Sequence, residues 1–185
     1  HSRSLYLEDY PFYWSPKLGF SNRVIIPFYK DNVIVGYTAR TATGDAKPKY
    51  ISEQQPGYVF NLDRQTHDRE FVIVCEGPFD AMAVDGVAVL SNECSEIQAD
   101  IIDSLGREVI VVPDQDKAGL ELVDRAVELG WSVSIPDWPE DIKDVNDAVV
   151  KFGKIATLLT IMQARETSKI KIELRKKNLA KRIQR

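Results

Sequence analysis

The sequence predicts an α/β fold: a parallel sheet with helices on both faces, preceded by a smaller mixed α+β subdomain and followed by a basic C-terminal helical segment. Three observations lead there. Continuous apolar runs recur from Phe71 onward, as in strands buried on both faces. Amphipathic stretches of helical length separate these runs, the alternation that builds parallel sheets. Ahead of them, two β-branched and aromatic runs are joined by a short polar turn, the mark of an antiparallel hairpin. The expected division is 1–69 for the front subdomain, 70–153 for the sheet domain and 154–185 for the basic segment.

The hairpin is expected from Arg23-Val24-Ile25-Ile26-Pro27-Phe28 and Val33-Ile34-Val35-Gly36-Tyr37-Thr38, with Tyr29-Lys30-Asp31-Asn32 between them. Residues 41–49, holding Gly44-Asp45 and Pro48, read as a loop, and Tyr58-Val59-Phe60 as a further short strand. Phe71-Val72-Ile73-Val74-Cys75 is the first buried strand. Val87-Ala88-Val89-Leu90 and Val109-Ile110-Val111-Val112 repeat its character, and Ser132-Val133-Ser134-Ile135 is a weaker fourth. Helices are expected over about 79–84, 95–105 and 117–129. Ser95 is placed to cap the second of them, and Gly106 and Gly130 to end the second and third. From Gly153 the chain reads as helix to its end.

The chain has 185 residues, 44% hydrophobic and 28% charged, enough apolar content for a real core. No uncharged apolar stretch reaches the roughly 18 residues a membrane span needs, and no secretory signal opens the sequence. His1-Ser2 reads as a cloning remnant. Cys75 and Cys94 are the only cysteines and form no CxxC pair, so neither a disulfide framework nor structural zinc is expected. A reducing, cytoplasmic setting follows as the expectation.

A net charge of −4 argues weakly against a nucleic-acid partner, but it is an average over unlike segments. Residues 1–69 carry nine Lys/Arg against seven Asp/Glu, while residues 70–150 carry four against nineteen. Residues 165–185 carry nine against two. On charge alone, a solvated acidic surface with a basic tail accounts for this pattern.

Position gives the acids more meaning. Ligands of open parallel sheets gather at the carboxyl ends of the strands. The first buried strand is followed by Glu76-Gly77-Pro78-Phe79-Asp80, and the third by Pro113-Asp114-Gln115-Asp116-Lys117-Ala118-Gly119. After the fourth, an acidic loop leads to Lys143-Asp144-Val145-Asn146-Asp147. In an extended segment residues two apart point to the same side, so Asp114 and Asp116 can share a site. Clustered carboxylates suit hard divalent cations such as magnesium, and the absence of histidine from these three motifs speaks against zinc. Taken singly, each element has an ordinary alternative: a solvated turn for Asp114-Gln115-Asp116, a plain turn for Glu76-Gly77, and a helix start capped by Asp144.

These three motifs together resemble those of Toprim domains, which are shared by DnaG-type primases, type IA and type II topoisomerases, OLD-type nucleases and some repair and RNA-processing proteins. The front half narrows the resemblance. Asn22 through Phe28, then Val35-Gly36-Tyr37-Thr38-Ala39-Arg40 and Lys49-Tyr50-Ile51-Ser52, look like the N-terminal half of the DnaG-type RNA polymerase core. The likeness runs over about 13–153 and is strongest to a phage-type primase core. It implies catalytic residues Glu76, Asp114 and Asp116 binding Mg2+ or Mn2+, two ions in all, with Asp80 and Asp144 as supporting ligands. It further implies that Arg23, Arg40 and Lys49 hold template or nucleoside triphosphate, and Lys117 or Lys143 could counter charge at the rim. The implied partners are single-stranded DNA, nucleoside triphosphates and a replicative helicase, with no membrane.

Asn146 departs from the pattern, standing where many bacterial primases have a second aspartate; Asp147 follows it and could compensate. The family's zinc module and a helicase domain are not recognisable, so the chain is either an excised core or a relative working without them. Two other functions stay open: a metal-dependent nuclease, and a non-catalytic nucleic-acid-binding module of a replisome. The basic tail reads either as a solvated helix face or as a salt-sensitive contact with a nucleic-acid backbone. A type IA topoisomerase is disfavoured, because so short a chain lacks the strand-holding domains of that family.

Overall fold

The computed structural model describes residues 10–43 and 47–184, so the readings of His1-Ser2 and of Gly44-Asp45 lie outside the described residues. The chain forms two compact units that divide between Tyr58 and Val59, ahead of the expected 69/70.

In the front unit, β1 (Arg23–Lys30) and β2 (Val33–Thr41) form the expected antiparallel hairpin. Its turn residues Asp31 and Asn32 both have positive φ, 53° and 62°, a conformation that Asp and Asn tolerate better than other side chains. β3 (Tyr50–Glu53) adds to the free edge of β2, a four-residue strand too short for its pattern to announce. Ile26 and Phe28 are fully buried, and Phe28 stacks on Tyr58 with ring centroids 5.1 Å apart. The described part of this unit is strand and turn.

The second unit is built on a five-stranded sheet in the order β5-β4-β6-β7-β8. Here β4 is Phe71–Cys75, β5 Val87–Ala88, β6 Glu108–Val111, β7 Ser132–Ser134 and β8 Arg165–Glu166. The first four strands are parallel and β8 is antiparallel. Helices α1 (Pro78–Val84), α2 (Glu96–Asp103), α3 (Gly119–Leu129), α4 (Val145–Phe152), α5 (Lys154–Ala164) and α6 (Lys169–Ile183) cover it.

Strand alternation decides which helices cover which face. Val72, Val74, Val109 and Val111 pack with Ala99 and Ile102 of α2, Leu122 and Val123 of α3, and Ile172 and Leu179 of α6. Ile73, Cys75, Ile110 and Val112 pack with Val84 of α1, Ala148 and Val149 of α4, and Ile161 of α5. Both faces are therefore apolar, which is why these strands read as unbroken hydrophobic runs.

Local signals set several boundaries. The Ser95 side chain accepts from the Gln98 N–H while Gln98 Oε1 accepts from the Ser95 N–H, a complete capping box. Gly130 ends α3 in the left-handed region at φ 76°. The expected strand at 58–60 is a single bridge, Phe60 with Ala88, and Asn61 Nδ2 donates to Gly86 O at 2.8 Å. These bonds fasten 59–61 to the sheet unit. Beyond Gly153 the structure differs from an unbroken helix: β8 interrupts it and pairs with β7, so the open sheet edge is covered. Thr167 and Ser168 suit such a break, and Ser168 stands at the N-cap position of α6.

Candidate metal centre

Because β4, β6 and β7 run parallel, their carboxyl ends open on one edge of the sheet. The three segments that leave this edge are stitched together by hydrogen bonds. The Asp114 N–H donates to Glu76 Oε1 at 3.1 Å, joining the loop after β6 to the end of β4. The Gln115 N–H donates to Lys143 O at 2.7 Å, joining it to the loop after β7. The Asn146 N–H donates to Asp80 Oδ1 at 2.9 Å, joining the start of α4 to α1. Glu76, Asp80, Asp114 and Asp144 thus belong to one connected assembly.

Each acid is positioned by its own turn. Asp144 caps α4, its Oδ1 accepting from the Asp147 N–H at 2.7 Å. Asp116 accepts the Gly119 N–H at 3.0 Å, which folds the exposed end of the loop back onto α3. Asp80 is buried on the first turn of α1, above Gly77, where an added Cβ would lie 2.8 Å from Asp80 Oδ2.

The electrostatics agree with this convergence. The Asp114 carboxyl is pushed up to about 9 by burial first, then by the charges of Asp80, Glu76, Asp144 and Asp116. Glu76 is raised to about 7, again mainly by burial, with Asp116 and Glu121 adding repulsion against the opposing hydrogen bond from Asp114. The fully buried Cys75 thiol is held well above its ordinary value by burial and by Asp80, Asp114, Glu76 and Asp144.

Among the described residues no three acidic, histidine or cysteine side chains converge closely enough to make a finished metal site. The donor chemistry nonetheless fits a hard divalent cation, being carboxylate oxygen without imidazole or thiolate. Asn146 adds a second observation. Its side chain is fully buried, and neither Oδ1 nor Nδ2 has a hydrogen-bond partner. An unsatisfied buried amide is costly unless something else completes it.

The basic residues expected to hold phosphate divide by environment. Arg23 is buried, and its guanidinium donates to the carbonyls of Gly19 (2.9 Å), Ala39 (3.3 Å), Pro48 (2.8 Å) and Lys49 (3.3 Å), clamping its own unit. Arg40 and Lys49 flank the half-exposed Tyr50 ring, 5.5 and 5.7 Å from its centroid. Lys117 and Lys143 are exposed, in the loops that carry the acids. Gln115 was not singled out by sequence, although its place between two acids on an extended segment turns it away from them. Its Nε2 donates to Pro136 O at 2.8 Å and its Oε1 accepts from Arg182 of α6, a tie between distant segments that spacing cannot announce. Four of the tail cations are paired as well: Lys171 and Arg175 with Glu166, Lys176 with Asp124, and Arg182 with Asp137.

Residues 73–149 match the family described as Toprim-like. A DNA primase of Halalkalibacterium halodurans is 32% identical over 154 residues, which cover 72% of this chain and 25% of the primase. A DNA primase of Enterococcus faecalis is 28% identical over 174 residues, covering 80% of this chain and 28% of the primase. The chain thus spans about a quarter of the length of these curated relatives. The fold matches the zinc-binding and RNA polymerase domains of the Aquifex aeolicus primase at a TM-score of 0.66 and 24% identity, covering 84% of this chain and 44% of that one. A DnaG primase catalytic domain bound to single-stranded DNA matches at 0.65 and 21% identity, over 83% of this chain and 56% of that one. The primase fragment of the bacteriophage T7 primase-helicase matches at 0.64 and 17% identity, over 86% and 72%.

Proposed function

We propose that this Toprim-domain chain, similar to the DNA primases of the DnaG type, is a primase catalytic core that makes short RNA primers on a single-stranded DNA template. The observation that carries the reading is the hydrogen-bonded assembly of Glu76, Asp80, Asp114 and Asp144 at one sheet edge, with Asp116 two residues from Asp114. The similarity to primases supports a nucleic-acid substrate for that assembly; one of the similar folds is a primase domain bound to single-stranded DNA. A replicative helicase is the proposed partner, as the T7 relative is part of a primase-helicase.

Glu76, Asp114 and Asp116 would hold the ions, with Asp80 and Asp144 in support. Two magnesium or manganese ions bound there supply positive charge for the triphosphate and for the attacking 3′-hydroxyl. The protein's own part is orientation. The Asp114 N–H fixes one oxygen of Glu76, so the carboxylate keeps its second oxygen for the site. Gly119 holds Asp116, and the helix cap holds Asp144, so three carboxylates are set before substrate arrives. Lys117 and Lys143, exposed in the same loops, are placed to offset phosphate charge. In the front unit Arg40 and Lys49, flanking Tyr50, form the candidate phosphate- or template-binding pair. Arg23 contributes by holding the Lys49 carbonyl that anchors this pair.

Incubating the protein with single-stranded DNA, all four ribonucleoside triphosphates and Mg2+ or Mn2+ tests the reading. Oligoribonucleotides that depend on template and metal are the expected product. Shortened DNA without oligomers would replace the proposal with a nuclease. Salt-sensitive DNA binding with neither product would replace it with a binding module.

A further inference from the structure

Helix α6 reaches the acid-bearing loop through Arg182. The Arg182 guanidinium donates from one end to Gln115 Oε1 and from the other to Asp137 Oδ1 at 3.2 Å and Trp138 O at 3.3 Å. Gln115, between Asp114 and Asp116, is held at two further points: its N–H by Lys143 O and its Nε2 by Pro136 O. Two segments remote in sequence, the loop after β7 and the end of α6, therefore meet on this one glutamine. Arg182 sits near the carboxyl end of α6, where a cation also complements the helix dipole. Ile172 and Leu179, both buried, dock the helix that delivers it.

We infer that Arg182 is a positioning residue for the metal-binding loop, acting through Gln115, and that α6 is a brace of the candidate site rather than only a basic surface. The bonds to the Gln115 side chain fix the main chain on which both aspartates stand. Groups one step behind a metal ligand tune affinity by fixing its direction. Arg182 stands a step further back, so a smaller effect than for such direct supports is expected. An ion pair alone would not do this, because Asp137 is almost fully exposed and such pairs contribute little. The planar fork matters, since it bridges Gln115 and Trp138 O simultaneously.

This inference rests on the acid cluster being a metal site, and the test separates the two. Mn2+ binding to the full chain is measured by electron paramagnetic resonance of the free ion, with melting temperature recorded in parallel. Arg182→Ala should weaken Mn2+ binding roughly three- to tenfold with little change in melting temperature. Gln115→Ala should do the same, and the double variant should be no weaker than the stronger single one, because both break one path. Arg182→Lys, which keeps the charge and loses the fork, should recover less than half of the loss. Lys176→Ala removes another α6 ion pair, to Asp124, and should leave Mn2+ binding unchanged. Wild-type affinity in Arg182→Ala, additive losses in the double variant, or an equal loss in Lys176→Ala would overturn the inference. A wild-type chain that binds no Mn2+ would overturn the metal site itself, and the inference with it.

Discussion

A side chain at Gly119 has no room: its Cβ would lie 2.1 Å from the Asp114 carbonyl oxygen. The close approach lets the start of α3 hold Asp116 while the chain turns out of β6. Gly119→Ala should therefore cost about 1–3 kcal/mol of stability, measured by urea unfolding, and should also raise the Mg2+ concentration needed for activity. Asn146 is a different case, a fully buried amide whose side-chain atoms have no hydrogen-bond partner. Asn146→Asp would put a carboxylate into a fully buried place next to Asp80, and in metal-free protein that should lower stability by about 2–4 kcal/mol. Added Mg2+ should recover part of the loss, and a metal-independent loss would remove Asn146 from the site. At this scale the acids were legible, because carboxylates after buried strands form a pattern. The four carbonyls around Arg23 were not, since a buried clamp and an exposed phosphate ligand are spelled by the same residue.

Asp85 shows how the elements are tied. It ends α1 with positive φ, 52°, and its Oδ2 accepts from Arg69 Nη2 at 2.8 Å and from Lys154 Nζ, at the start of α5, at 2.5 Å. Burial raises its pKa, but the hydrogen bonds and charges of Lys154 and Arg69 more than offset this and hold it below the ordinary value. A depressed carboxyl stabilises the fold above its unfolded value of about 3.9, and the contribution is lost as pH falls through the folded value. Asp85→Asn keeps a residue that tolerates positive φ and should cost about 1 kcal/mol at pH 7, a modest figure because the group is about half exposed. The difference from wild type should shrink toward zero in acid unfolding as pH falls through the folded value. The strands and the capped helices were legible from apolar runs and from Ser95 and Gly130, while α2 ends at Asp103 with Ser104 as its C-cap, ahead of the expected Gly106. β8 was not, because two residues carry no period and only the open edge of β7 makes them a strand.

The charge of the whole chain resolves into parts with different work. The acidic middle holds the candidate metal centre, and the basic tail is drawn back onto the same unit by Glu166, Asp124, Asp137 and Gln115. Under the proposed function such an acidic domain could meet polyphosphates because a bound ion, rather than the protein surface, would offset the charge. The most direct check on the central claim compares primer synthesis by wild type and Glu76→Gln at equal folded fraction. Gln keeps an acceptor for the Asp114 N–H and mimics the neutral form favoured by the raised pKa of about 7. At pH 8 without metal the variant should melt no lower than wild type, yet its template-dependent oligoribonucleotide output should fall at least about hundredfold. Full output from the folded variant would contradict the assignment of the acids to nucleotidyl transfer.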